Sequence, residues 1–166
     1  HEAYAEHAAK GMGYSACFQT EVRTRERVGD GLCLVALLDG KLVGTATLHT
    51  FPDTLHLCQF AVHPNYRSYG LGRELQKYVF ELACKYEKLA LVCDTSEKAD
   101  KVVGWYIKTG WQKVGLVSYA TTNFYSVCFR RPVCGRKYSR IESWLRLTLS
   151  STLCRIKFKE NGEKRW

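Results

Sequence analysis

Phe60-Ala61-Val62-His63-Pro64-Asn65-Tyr66-Arg67-Ser68-Tyr69-Gly70-Leu71-Gly72-Arg73 is the stretch on which the reading turns. An apolar strand ends, a loop with two glycines follows, and a long amphipathic helix begins. Leu71, Leu75, Tyr78, Val79, Leu82, Ala83 and Tyr86 recur at helical spacing and set that helix at 71–86. First-turn amides of a helix have no intrahelical partner, and the macrodipole is positive there. Gly70 and Gly72 remove Cβ atoms where a ligand would approach, and Arg67 and Arg73 add charge. The combination suits a phosphate or pyrophosphate; the plain alternative is a helix start with two turn glycines.

Working outward, the Ala-rich segment Glu2 to Lys10 reads as a helix ended by Gly11-Met12-Gly13. A second helix runs from Thr20, its N-cap, to Val28, with Gly29-Asp30-Gly31 as the stop. Leu32–Leu38 and Lys41–Thr50 form a hairpin about Asp39-Gly40, and Leu55–Val62 is the third antiparallel strand. Leu89–Cys93 is a buried strand. The intervening helix makes 55–62 and 89–93 parallel neighbours by a crossover connection. Asp100–Lys108 is a helix stopped by Gly110. Trp111–Tyr119 and Asn123–Arg130 are a last hairpin, and Pro132 and Gly135 mark a boundary. In the tail, Ile141, Trp144, Leu145, Thr148, Leu149 and Thr152 share a helical face, Cys154–Lys159 is a short strand, and Asn161-Gly162 a turn.

Composition narrows the classes. The 166 residues are 46% apolar and 25% charged, ordinary globular values that argue against disorder. The longest apolar run, Leu32–Leu38, falls short of the about 18 residues a membrane-spanning helix needs. The eight cysteines are scattered, with no CxxC and no zinc spacing, so no metal is expected and reduced thiols in a cytoplasmic setting are. Net charge is uneven. Residues 129–166 carry 11 basic and 3 acidic side chains, while the rest of the chain is nearly neutral. That tail is either an extra element packed on the body or a surface for nucleic acid, acidic protein or an anionic membrane.

Two nucleotide-binding alternatives are poorly matched. A dinucleotide fingerprint needs a third glycine where Leu75 stands, although Asp94 lies where a ribose-binding acid would. No Gly-Lys-Ser/Thr phosphate loop occurs.

Arg67-x-x-Gly70-x-Gly72, entered from Phe60-Ala61-Val62-His63-Pro64, resembles the cofactor loop of the GNAT family of N-acetyltransferases. Gly104-Trp105-Tyr106-Ile107-Lys108-Thr109-Gly110-Trp111 is similar to the family's FYEKLGF helix and following strand, and the order of elements matches over about residues 1–130. The resemblance implies a single-domain α/β acyl-CoA N-acyltransferase fold: a mixed, mostly antiparallel sheet with one parallel strand pair, flanked by helices. Residues 131–166 would be a basic C-terminal extension of it. Three departures stand out. The family's usual first strand is not seen ahead of His1, Ala99 and Asp100 stand where many members carry an Asn, and the basic tail has no family counterpart.

What the resemblance implies for chemistry is direct transfer of an acetyl group from acetyl-CoA to a primary amine of a small molecule or peptide. Phe60, Ala61 and Val62 would pair with the pantetheine arm, and the amides of Arg67, Ser68, Tyr69, Gly70, Leu71, Gly72 and Arg73 would meet the pyrophosphate. Tyr106 would be the general acid. His56 falls where arylalkylamine-type members place a histidine base, and Cys58 where a second histidine would be. An acyl-accepting role for Cys58 is the rarer alternative. A base has work to do, because holding a lysine-type amine neutral at pH 7 costs about 4.6 kcal/mol, against about 1 kcal/mol for an α-amine. An imidazole with a reference pKa of about 6.5 suits that task. His63 reads as structural. The competing class is a non-catalytic acyl-CoA-binding module docked on an anionic partner through its tail. A homodimer is compatible with either.

Overall fold

The computed structural model describes residues 2–133 and the backbone of 144–149 and 152–160. A 3-10 turn at Glu2–Tyr4 leads into α1 (Ala5–Ala9), and a short α2 (Ser15–Phe18) precedes α3 (Glu21–Asp30). Thr20 caps α3 as its sequence implies, its hydroxyl accepting from the Arg23 amide at 3.2 Å. The meander follows as β1 (Leu32–Leu38), β2 (Lys41–Thr50) and β3 (Thr54–Val62). Asp39 and Gly40 both take positive φ, at 49° and 78°, so the two-residue turn matches the twist of its strands. Then come α4 (Leu71–Lys85), β4 (Ala90–Ser96), α5 (Asp100–Lys108), β5 (Gln112–Ser118) and β6 (Tyr125–Pro132).

These six strands form a mixed sheet in the order β5-β6-β4-β3-β2-β1, and β3 with β4 is its parallel pair. Leu71, Leu75, Val79, Leu82 and Ala83 of α4 pack with Leu34, Leu48, Leu55, Leu57, Leu91 and Phe129 from the sheet. α5 joins α4 on that face, where Gln76 Nε2 donates to the Thr109 hydroxyl at 3.2 Å. Leu75 is 1% exposed at the centre of this layer. Leu75→Ala should lower stability by about 2–5 kcal/mol, read as a fall in the urea midpoint.

Residues 144–149 differ from their expected state. The apolar spacing suggests a helix, but Trp144–Leu149 is a strand, β7, paired antiparallel with β8 (Thr152–Glu160). Leu145, Leu147 and Leu149 also fit a period of two, and a run this short satisfies both periods. β8 pairs with β1, from Leu34↔Glu160 to Leu38↔Ile156, and extends the sheet at its β1 edge. Gly135, Ile141 and the Asn161-Gly162 turn lie outside the described residues.

Candidate active site

The parallel pair is short. Thr54↔Ala90, Leu55↔Leu91 and His56↔Val92 are its only partners, although β3 runs on to Val62 and β4 to Ser96. Beyond His56 the strands part and leave a notch. A bulge in β3 contributes to the divergence: Thr45 faces Ala61 and Thr47 faces Cys58, so Gln59 and Phe60 together oppose Ala46. Gln59 sits at φ 47°, an uncommon conformation for a residue with a Cβ. Its side chain is held on both sides. The Thr47 hydroxyl donates to Oε1 at 3.0 Å, and Nε2 donates to Gln19 at 2.8 Å.

Next to the notch, the loop into α4 is open to solvent at Ser68, Tyr69 and Gly70. Ser68 (φ 68°) and Gly70 (φ 85°) are both left-handed, and no side chain caps the helix. Among the described residues, the amides of Ser68, Tyr69, Gly70, Leu71 and Gly72 have no hydrogen-bonded acceptor. The amides at the two ends of the expected set are engaged. Arg67 N donates to Pro64 O at 3.2 Å and Arg73 N to Gly70 O at 2.9 Å. The Arg67 guanidinium is engaged too, donating to Ala3 O at 2.6 Å, to Val62 O at 3.3 Å and to Glu6 at 3.3 Å. It ties the loop to the N-terminal turn rather than facing an open anion site. Leu71 turns its side chain into the core at 2% exposure. A Cβ on Gly72 would stand 3.4 Å from the Trp105 ring, 3.9 Å from Val62 and 4.0 Å from Phe60, ordinary contact distances where α4 meets α5 and β3. Phe60 and Trp105 stack 5.7 Å apart across that approach.

At the apex of the notch, where pairing stops, three ionisable groups meet. His56 Nε2 lies 3.5 Å from Asp94 Oδ1, and both side chains are about three-quarters buried. Asp94, with a smaller influence from the neighbouring Cys58, pushes the His56 imidazole up to about 10 against the opposing effect of burial. Burial pulls the Asp94 carboxyl upward, yet hydrogen bonds from His56 and Ser126 outweigh it and hold the group below the usual range. His56 is therefore an imidazolium at neutral pH, not the half-neutral base that its reference value suggests.

Tyr106 is 5% exposed on α5, its ring stacked on Phe129 at 5.1 Å and edge-on to Trp111 at 5.4 Å. Its hydroxyl neighbours Cys93, the residue just past the last parallel pair. Burial drives the phenol well above its ordinary value. His63 keeps to the loop, with Nδ1 accepting the Asn65 amide at 3.2 Å and Nε2 2.9 Å from Glu2.

Several residues at the site carry no sequence signal. Tyr4 donates to the Phe60 carbonyl on one arm of the notch at 3.2 Å. On the other arm, Tyr14 meets the Thr95 hydroxyl at 2.9 Å and accepts the Ser96 amide at 3.0 Å. The two rings pack 5.6 Å apart, so the N-terminal segment bridges both strands. Asp94 is recognisable only once the β3–β4 register is known. At the position of the family's Asn, Ala99 packs with Met12 and Phe124, and α5 starts without a side-chain cap. Among the described residues no cluster of His, Cys, Asp and Glu has the makings of a metal site.

The chain is similar to several known proteins. It matches the curated protein UPF0157 protein YqkA of Bacillus subtilis (strain 168), 32% identical over 82 residues; the match takes in 49% of this chain and 23% of that one. Among solved structures it is similar to the IAA acetyltransferase from Bacillus cereus ATCC 14579 (20% identical, 68% of this chain and 85% of that one, TM-score 0.59). It also resembles a Bacillus subtilis acetyltransferase in complex with CoA (18% identical, 69% and 85%, TM-score 0.60). A GNAT family acetyltransferase from Elizabethkingia anophelis with acetyl-CoA bound is 15% identical over 68% of this chain and 83% of that one, with a TM-score of 0.59. These distant likenesses carry the fold. The family model for the acetyltransferase (GNAT) family matches residues 3–111, the stretch that holds the notch, the open-amide loop and the Tyr106 helix, and the chain thus belongs to the GNAT family of acetyltransferases.

Proposed function

We propose that the protein transfers an acetyl group directly from acetyl-CoA to a primary amine of a small molecule or peptide. The observation that carries this reading is the row of five acceptor-free amides, Ser68 to Gly72, beside strands that part at His56↔Val92. Such amides at a positive helix terminus suit a diphosphate. Phe60, Ala61 and Val62 offer the β3 edge to the amide-bearing arm of the donor. In its neutral form His56, oriented by Asp94, takes the proton of the attacking amine, and Tyr106 gives one to the departing thiolate. The strand pairing of β8 with β1 supports reading residues 131–166 as an extension of this domain rather than a free arm.

The test is release of free thiol from acetyl-CoA over a panel of small and peptide amines. A chain that binds CoA yet turns over none of them would sink the catalytic reading. Binding has its own check at the loop. Gly70→Ala places a Cβ at φ 85°, a strain of about 1–2 kcal/mol. Calorimetry should show CoA held about tenfold more weakly, since about 1.4 kcal/mol is a factor of ten.

A further inference from the structure

Among the described residues, β3 past His56 keeps only its β2 partner, and β4 past Val92 only its β6 partner. Two strand edges therefore face each other across the notch, and an unpaired edge presents N–H and C=O groups that need partners. In the free chain the N-terminal segment supplies some of them. The Tyr4 hydroxyl donates to the Phe60 carbonyl at 3.2 Å on the β3 arm. On the β4 arm, the Tyr14 hydroxyl accepts the Ser96 amide at 3.0 Å and lies 2.9 Å from the Thr95 hydroxyl. The rings are 5.6 Å apart, so together they span the gap. A donor turned to β3 and an acceptor turned to β4 form the pattern that an amide group, with its N–H and C=O, would offer between the same edges. The segment carrying the tyrosines is anchored from outside the notch. Arg67 donates to Ala3 O at 2.6 Å, and Asn123 grips the other end, donating to Gly11 O at 2.8 Å and accepting the Gly13 amide at 2.9 Å. Between these anchors α1 is 5 residues long and buries none of them. A helix so short has little stability of its own, so it can shift without disturbing the core.

We propose that Tyr4 and Tyr14 set the affinity for the acyl donor: they hold the Phe60 carbonyl and the Ser96 amide, positions its amide-bearing arm would take, and leave them when it binds. The proposal rests on the acetyl-CoA reading above. Neither tyrosine bonds to the open amides from Ser68 to Gly72, so the diphosphate meets a site that is already formed. The arm meets a site that is already filled. Part of its binding free energy goes into displacing the two hydroxyls, so CoA is held less tightly than its own contacts would allow.

The experiment compares, by calorimetry on the full chain, CoA with 3′-phospho-ADP, which keeps the diphosphate and lacks the arm. Tyr4→Phe keeps the ring and loses the hydroxyl. It should bind CoA about fivefold more tightly than wild type and leave 3′-phospho-ADP affinity unchanged. Tyr14→Phe should move CoA affinity in the same direction. In the wild-type chain the exposed Lys10 reports on the segment between the tyrosines. Trypsin should cut after Lys10 faster when CoA is present, and no faster with 3′-phospho-ADP. Equal or weaker CoA binding by Tyr4→Phe, with 3′-phospho-ADP binding intact, overturns the proposal and leaves the acetyl-CoA reading in place. So does slower cutting after Lys10 on adding CoA. No heat from either ligand with any of the chains removes the acetyl-CoA reading and this proposal with it.

Discussion

Tyr106→Phe is expected to cut amine acetylation about 100-fold while CoA affinity stays within a factor of two or so. The reason lies in what the ring and the hydroxyl each do. The ring is held by Phe129 and Trp111, and a phenylalanine keeps both contacts. The hydroxyl reaches Cys93 at the point where β3 and β4 part. Burial keeps that phenol protonated across any working pH, so it is always in the form that can donate. The substitution removes one buried hydroxyl beside Cys93, a change of about 1 kcal/mol that the fold tolerates. The loop amides that would hold the diphosphate lie on α4 and its entry, away from the change. The loss should therefore fall on kcat, with the calorimetric CoA affinity preserved. It should shrink when the donor carries a more acidic thiol, since a better leaving group needs less help from an acid. Wild-type kcat in Tyr106→Phe would remove Tyr106 from the reaction.

The fold was readable because its signals are local. The Asp39-Gly40 turn, the 3.6-residue stripe of α4 and the Gly110 stop each announce themselves within a few residues. The loop was readable for the same reason, as two glycines between a strand and a helix. The catalytic geometry was not, because it depends on register. Nothing in the chain states that His56 faces Val92, and only that pairing puts Asp94, two residues on, beside the imidazole. The Gln59 bulge is equally hidden, being a property of Thr45 and Thr47 as much as of β3. Tyr4 and Tyr14 lie in a segment whose sequence shows only helix and glycine stop. The four-residue α2 between them and α3 is too short for periodicity to register. The tail is a different failure: Trp144–Leu149 fits both periods, and pairing with β8 decided for strand.

The hidden carboxylate changes what the pH profile should look like. An acceptor with an α-amine is mostly neutral by pH 8.7, one unit above its reference value of about 7.7, so its own titration is nearly complete there. A histidine of ordinary pKa would also be neutral by then, and activity would level off. With His56 at about 10, only about one molecule in a thousand holds a neutral imidazole at pH 7. Rate with such an acceptor should then keep climbing about tenfold per pH unit above 8.7 and level only near 10. Asp94→Asn removes the largest influence holding the proton on His56. The upper inflection should move down toward the reference value of about 6.5, while the weaker base lowers the plateau. Stability follows the same proton. The folded-state value lies above the unfolded one, so the pair's contribution is full below about pH 6.5 and is lost as pH rises through about 10. The wild-type melting temperature should fall over that interval, and Asp94→Asn should flatten the fall. A profile that levels at pH 8 for an α-amine acceptor, with melting indifferent to pH between 7 and 10, would show that Asp94 does not hold the proton. The base would then have to be sought elsewhere on the notch.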